Sequence, residues 1–276
     1  MIEESNQAFV PPAFASKLIR KMTVRGLIAY DRTGDGPPIV FVHGLTYDRG
    51  MWEPVIEKLN GSFTCVNIDL PGHGESLDAG TYGLEWVVRA VHEVIEQQQL
   101  ERPIIVGHSA GAILAAFYAG TFPTAAVVMS DQALRTNAFL EDIQGVQEQL
   151  RGPAFLGIWR SIESRFGIEL IPASRRELVQ GATVPRQDIV LGYWREILDT
   201  PPAELQDRFT AVLRRVDAPF TSVFGEDVES EYRAWFSGIV PQGKIVVFPN
   251  SGHFPHLVDP DRFADQIRAV AGQVRS

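Results

Sequence analysis

The sequence predicts an α/β protein built on a doubly wound, mostly parallel sheet. Short runs of consecutive apolar residues, such as 39–42 and 104–106, show no alternation with polar residues. Runs of this kind are typical of strands that are covered on both faces in a central parallel sheet. Segments with the spacing of amphipathic helices, at 51–59 and 84–100, separate them. Strand and helix therefore alternate, as expected when helices cover both faces of the sheet.

The other elements of this alternation can be placed in chain order. Glycine and proline at 34–38 predict a turn between the first two strand segments. The final helix is well marked, since Asp259 can cap its start and Pro260 suits its first turn. Strands are predicted at 21–30, 38–43, 65–70, 103–106, 125–130, 220–225 and 244–248.

A long segment between two of these strands breaks the alternation. Residues 135–215 contain helical patterns rich in aromatic side chains, and we interpret them as a helical cap. The predicted core then comprises 1–134 and 216–276. Most of the cap aromatics are expected to join the cap helices to one another, and a few to line a pocket. They are Phe139, Phe155, Trp159, Phe166, Tyr193 and Trp194.

Composition and charge exclude several classes of partner. Of 276 residues, 45% are hydrophobic and 21% charged, and no run approaches the ~18 apolar residues that a membrane helix needs. A net charge of -9 without clusters of Lys and Arg argues against nucleic acid. Residues 1–16 lack the basic start of a secretory signal, so we expect a cytoplasmic protein. Cys65, the single cysteine, is expected to be a buried, inert thiol. The sequence sets no expectation for the oligomeric state.

The segment 104–112, Ile-Ile-Val-Gly-His-Ser-Ala-Gly-Ala, points to a nucleophile. An apolar strand leads into Gly-x-Ser-x-Gly and then into a helix of small residues, which is the pattern of a nucleophile elbow. Gly107 and Gly111 remove the side chains that would collide in so tight a turn, and Ser109 is then presented to a substrate. The alternative is a glycine-rich turn that only packs the helix close to the strand.

A serine hydroxyl needs a base, and His253 is the candidate. It lies in the loop 250–256 between the last strand and the last helix, at the carboxyl end of the sheet and level with Ser109. His256 is the one rival base, and a metal site formed by these two histidines would lack further ligands nearby. We therefore expect no metal. Structural roles are expected for His43, His73, His92 and His108.

Two aspartates compete for the acid that orients the base. Asp131 follows the strand at 125–130, and Asp227 follows the next strand. Both lie between Ser109 and His253 in chain order, as this arrangement expects. Each could instead be an ordinary turn or surface acid. Chain order does not choose between them.

The negative oxygen of a tetrahedral intermediate needs two N-H donors. The amide of Ala110, which follows the candidate nucleophile, is one candidate. The second is expected in the loop His-Gly-Leu-Thr at 43–46, and the N-H of Leu45 suits it best because Gly44 lets the backbone turn inward.

Taken in order, four motifs give the chain a resemblance to the α/β-hydrolase family. They are His-Gly at 43–44, Asp-Leu-Pro-Gly-His-Gly-Glu-Ser at 69–76, Gly-His-Ser-Ala-Gly at 107–111 and Gly-His-Phe-Pro-His at 252–256. The resemblance covers nearly everything but the cap, which this fold inserts after the sixth strand. It implies a triad without cofactor. By the same resemblance Ser109 is the nucleophile, His253 the base, and Leu45 and Ala110 the oxyanion donors.

The resemblance also bears on the acid. Many family members place it three residues after the glycine that ends the penultimate strand, and here that position holds Val228. Asp227 falls one residue short. Lactonases that resemble this chain in their Gly-x-His-Phe-Pro ending draw the acid from the preceding strand, which favours Asp131.

The leading hypothesis is a serine hydrolase that cleaves a small, largely apolar carboxylic ester or lactone through an acyl-enzyme on Ser109. The aromatic cap motivates the apolar substrate. The first alternative is a carbon-carbon bond hydrolase of aromatic degradation, which resembles this architecture and uses the same triad. The second is a noncatalytic ligand receptor, since receptors that resemble this fold keep the pocket and much of the triad.

Overall fold

The computed structural model describes residues 19–22, 27–59, 61–135, 138–181 and 185–274. In these ranges eight strands form one sheet with the order β1-β2-β4-β3-β5-β6-β7-β8. Pairings of β2 with β1 and with β4 are antiparallel, and the others are parallel. The strands are β1 (Ile19–Met22), β2 (Ala29–Thr33), β3 (Pro38–Val42), β4 (Thr64–Ile68), β5 (Ile104–His108), β6 (Ala126–Ser130), β7 (Phe220–Phe224) and β8 (Gly243–Val247).

Helices cover both faces of this sheet, as predicted. Along β3, Val40 and Val42 join one apolar cluster, whereas Ile39 and Phe41 join the other. Successive side chains of a strand point to opposite faces, so a strand without polar residues has both faces buried. The core helices are α1 (Glu53–Lys58), α2 (Leu84–Gln97), α3 (Ala110–Ala119), α11 (Ser230–Ile239), α12 (Pro255–Val258) and α13 (Pro260–Val274).

The helices between β6 and β7 form the inserted segment, which begins after the sixth strand as expected. Most of them share a separate cluster that includes Trp159 and Trp194. The last helix packs on α3 instead, with the rings of Phe117 and Phe209 5.0 Å apart. The boundaries 135–215 stay a prediction. The inserted helices are α4 (Ala138–Gly145), α5 (Gln147–Arg151), α6 (Phe155–Glu163), α7 (Glu177–Gln180), α8 (Gln187–Tyr193), α9 (Arg195–Asp199) and α10 (Pro202–Leu213).

Some details differ from the sequence predictions. The single strand expected at 21–30 is two strands, β1 and β2, which pair antiparallel. The helix expected at 84–100 ends at Gln97. The expectation for 1–16 and that for the Phe139 side chain lie outside the described residues.

Two expectations from composition can be compared with the described ranges. No helix there combines the length and apolarity needed to cross a membrane. The cytoplasmic location stays a prediction. Cys65 is buried, and burial raises the pKa of its thiol to about 12, so an inert thiol is the correct description.

Candidate active site

Ser109 lies at the turn from β5 into α3, in a backbone conformation that serine seldom adopts. Its φ is 51° and its ψ is -120°. A Cβ on Gly107 would lie 2.2 Å from the carbonyl oxygen of Gly111, and one on Gly111 would lie 2.4 Å from that of His43. The two glycines are therefore required by close backbone approach, and the strain that they permit is typical of a functional residue.

His253 and Asp131 are brought together across the carboxyl edge of the sheet. His253 Nδ1 lies 2.7 Å from Asp131 Oδ2, and the other carboxylate oxygen accepts the N-H of Gly225 at 2.9 Å. An ionised carboxylate can only accept, so Nδ1 of His253 carries the proton and Nε2 keeps its lone pair. That is the tautomer a general base requires.

Asp227, the other candidate acid, is not brought to His253. Its side chain is 79% exposed and pairs with Arg233 on α11. The hydrogen bond from Arg233 is the largest of the effects that lower the pKa of Asp227. The acid therefore belongs to the surface of the core, and of the two it is Asp131 that contacts the histidine.

The backbone of His253 is held from two sides. Its N-H donates to the carbonyl of Phe166 in the inserted segment at 2.9 Å, and its carbonyl accepts Nε2-H of His108 at 2.8 Å. Gly225 approaches this loop so closely that a Cβ there would lie 1.7 Å from the carbonyl oxygen of Gly252. The loop that carries His253 is thus fixed by hydrogen bonds and by contact with Gly225, which follows β7.

The loop that holds Leu45 is supported by two buried histidines. His43 Nδ1 lies 2.7 Å from the carbonyl of Gly44, and His73 Nε2 accepts the N-H of Thr46 at 3.1 Å. Burial lowers the pKa of His43 to about 4 and that of His73 to about 3. Both rings are neutral near pH 7, so they serve as hydrogen-bond scaffolds, as expected for structural histidines.

The remaining histidines do not compete for the role of base. His256 is fully buried, its Nδ1 lies 2.9 Å from Ser130 Oγ, and burial holds its pKa well below the usual value. Burial does the same to His108, behind His253. His92 lies on α2, where its ring stacks on Phe122. The described residues include no group of three potential metal ligands from His, Cys, Asp and Glu.

One cavity of about 340 Å³ joins these groups. Ser109, Asp131, His253, Leu45 and Ala110 all line it. Ala110 is the first residue of α3, where backbone amides have no partner within the helix and can bind an anionic oxygen. The predicted site residues therefore converge on one space.

The lining shows which residues the sequence reasoning missed. Four of the cap aromatics line the cavity, which is more than expected, and the tilted rings of Trp159 and Trp194 also lie 5.4 Å apart. Tyr47, Arg135 and Glu196 line it too. Tyr47 directly follows the loop at 43–46, and Arg135 lies four residues after Asp131. Closeness in sequence to a motif could therefore have identified both as lining residues. Nothing local in the sequence marks Glu196. The four aromatics are Trp159, Phe166, Tyr193 and Trp194.

This fold and this elbow define the class of protein. Residues 39–266 match the alpha/beta hydrolase family, and the chain belongs to that family. It is 28% identical to the pimeloyl-[acyl-carrier protein] methyl ester esterase of Nitrosomonas europaea, over 88% of this chain and 99% of that protein. It is 24% identical to the 2-succinyl-6-hydroxy-2,4-cyclohexadiene-1-carboxylate synthase of Enterobacter sp. (strain 638), over 81% of this chain and 87% of that one.

Two further similarities have a narrower meaning. The chain is 25% identical to protein PHYLLO of Arabidopsis thaliana, but it spans only 16% of the length of that relative. A solved structure of E-2-(acetamidomethylene)succinate hydrolase superposes with a TM-score of 0.74 at 20% identity, over 92% of this chain and 99% of that one. At that identity the superposition establishes the fold alone.

Proposed function

We propose that the protein is a serine hydrolase that cleaves a small, largely apolar carboxylic ester or lactone through an acyl-enzyme on Ser109. The observation that carries this proposal is the 2.7 Å contact between His253 Nδ1 and Asp131, in the cavity that Ser109 also lines. A positioned base beside a strained serine is the arrangement that activates a hydroxyl for attack.

The proposed reaction has two halves. In the first, Ser109 Oγ attacks the substrate carbonyl while His253 Nε2 takes its proton, and His253 then gives that proton to the departing alkoxide. In the second, His253 takes a proton from water, the hydroxide attacks the acyl-enzyme, and the proton returns to Ser109 as the acid leaves. The amides of Leu45 and Ala110 stabilise the oxyanion in both halves. Asp131 orients His253 and stabilises its protonated form.

The apolar character of the substrate is supported by the cavity wall. Tyr193 stacks on Tyr82 at 5.3 Å, and Trp159 of the inserted segment also lines the cavity. Aliphatic side chains from α3 and α10 complete the surface, among them Ile113 and Leu205. Such walls bind by burial of apolar area and leave orientation to a few polar groups. The esterase from Nitrosomonas europaea supports ester cleavage among related chains.

The test is intact-mass analysis after treatment with a small fluorophosphonate, which traps an activated serine whatever the natural substrate. We expect one adduct on the wild-type protein and none on Ser109→Ala. A folded protein without an adduct would contradict the proposal and favour a noncatalytic ligand receptor. Circular dichroism spectra of both proteins provide the control for folding.

A carbon-carbon bond hydrolase is the second candidate, because the relative from Enterobacter sp. (strain 638) is named as a synthase and not as an esterase. A panel that contains short-chain esters, lactones and a vinylogous diketone separates the two. Turnover of the diketone without turnover of any ester or lactone would replace the first candidate with the second.

A further inference from the structure

Among the described residues, three charged side chains line the cavity besides His253, and two of them already have partners. Asp131 contacts His253 and accepts the N-H of Gly225. Glu196 accepts the N-H of Leu84 at 3.2 Å and pairs with Arg208 at 3.1 Å. These two carboxylates are therefore occupied by the protein. The third charged side chain is that of Arg135.

Arg135 is exposed and lines the cavity. Within the described residues, its side chain forms no hydrogen bond or ion pair. The charge of Arg135 acts on Glu231, whose pKa is lowered by its own backbone amide, then by the Ser230 hydroxyl, and only last by Arg135. Several other arginines in the described ranges are paired with carboxylates. Examples are Arg49, Arg151, Arg165, Arg186, Arg208, Arg233 and Arg268.

The backbone around Arg135 is fixed to the active-site edge. Asp131 donates its N-H to the carbonyl of Val223 at 2.7 Å, and Leu134 donates its N-H to the hydroxyl of Tyr232 at 3.2 Å. Both anchoring residues, Val223 and Tyr232, are buried. The backbone from which the Arg135 side chain extends is therefore held close to the edge that carries Asp131, which favours recognition of one end of a substrate.

We propose that Arg135 binds a carboxylate on the substrate, so that the preferred substrates are esters or lactones with an apolar body and one anionic end. The planar guanidinium can hold a carboxylate with two parallel hydrogen bonds. The inference rests on the proposed hydrolase function and narrows its substrate class. Ser109 and His253 act on the scissile bond, while Arg135 orients the far end.

The test compares matched pairs of chromogenic esters. In the first pair the acyl half ends in a carboxylate or in its methyl ester, as in mono-4-nitrophenyl glutarate and 4-nitrophenyl methyl glutarate. In the second pair the leaving half carries the charge, as in 4-acetoxybenzoate and its methyl ester. The measured quantity is the ratio of kcat/KM for the anionic ester to kcat/KM for its neutral partner.

We expect Arg135→Gln to lower this ratio about 10-fold or more in one of the two pairs, which also tells which half carries the carboxylate. The neutral esters should keep their kcat/KM within a factor of about two. Arg135→Lys should retain part of the preference, because lysine keeps the charge but not the fork. Added salt should weaken the wild-type preference, since the site is exposed. Arg160→Gln, which removes an exposed arginine of α6 that does not line the cavity, should leave the ratio unchanged.

A binding measurement separates this proposal from the proposed function. Mono-anilide of glutaric acid and its neutral primary amide are titrated into Ser109→Ala, with quenching of Trp159 and Trp194 as the signal, since both line the cavity. Tighter binding of the acid that Arg135→Gln removes supports the proposal even if no ester is turned over. Equal ratios in wild type and Arg135→Gln for both ester pairs, together with equal affinities for the acid and the amide, would overturn it while leaving ester hydrolysis by Ser109 intact.

Discussion

The carboxyl edge of the sheet, which holds the candidate active site, and the inserted segment are built by different kinds of contact. At the edge, backbone meets backbone: the carbonyl of Gly111 lies where a Cβ on Gly107 would go, and that of Gly252 where a Cβ on Gly225 would go. In the inserted segment, side chain meets side chain, as in the contact of Trp159 with Trp194. Backbone contacts tolerate one residue type, whereas apolar side chains can be exchanged with modest cost. Short sequence motifs therefore identify the edge of the sheet, whereas no such motif identifies the cap.

The largest expected effect distinguishes the two candidate acids. Asp131→Asn removes the acceptor that fixes the tautomer of His253, and kcat should fall by about 10⁴. Asp227→Asn removes an exposed partner of Arg233, and kcat should remain within about two-fold. Steady-state kinetics on one ester measures both. Near-full activity of Asp131→Asn would show that the acid has been assigned to the wrong residue.

The next effect concerns a donor that is part of the backbone. Leu45→Pro deletes the N-H, so kcat should fall by about 10²-10³-fold, the usual cost of one oxyanion donor. Leu45→Ala keeps that amide and should mainly change KM, because it alters only the cavity wall. The two variants are compared by kcat with one neutral ester after thermal melts show that both are folded. Equal kcat in the two would remove Leu45 from the oxyanion hole.

Glycine substitutions compare the edge with the cap in stability. Gly225→Ala places a Cβ against the Gly252 backbone, and we expect a loss of about 1-3 kcal/mol or more in the free energy of unfolding. Gly157→Ala lies on an exposed turn of α6 with nothing within 4 Å, and we expect a gain of about 0.5-1 kcal/mol from helix propensity. Urea unfolding measures both. A tolerated Gly225→Ala would mean that the loop moves easily, contrary to the close contacts described above.

The last expected effect is the dependence of stability on pH. The pKa of His43, about 4, and that of His73, about 3, lie below the ordinary value near 6.5. The unfolded chain then binds more protons than the folded one below pH 6.5, so stability is complete above that pH and is lost as pH falls toward these values. The slope should reach about 1.4 kcal/mol per pH unit for each histidine.

Acid should therefore loosen the edge before the cap, since residues 135–215 contain no histidine. Urea unfolding at pH 7.5 and pH 5 gives the total change, and hydrogen exchange locates it. Protection lost first in the cap would contradict this expectation. In His73→Gln, one histidine fewer titrates, and a shallower slope with pH is expected.

Much of the fold could be predicted because its signals are local. The run at 39–42 is apolar throughout since each residue of β3 is covered by one cluster or the other. The predictions of a doubly wound sheet and of the family are both confirmed. The prediction of one strand at 21–30 was wrong. The antiparallel pairing of β1 with β2 is not encoded by the apolar pattern.

The sequence by itself indicated the elbow at 107–111 and the loops at 43–46 and 250–256, because each is a short segment whose glycines allow a close approach of neighbouring groups. Only the tertiary structure showed which of two aspartates that follow neighbouring strands contacts His253, since the distance from each to His253 depends on how two loops far apart in the chain fold over one sheet edge. It also decided which cap side chains reach the cavity. Arg135 is an intermediate case. It is close to Asp131 in sequence, but the tertiary structure shows that it lines the cavity, next to a segment that a hydrogen bond from Leu134 to Tyr232 anchors.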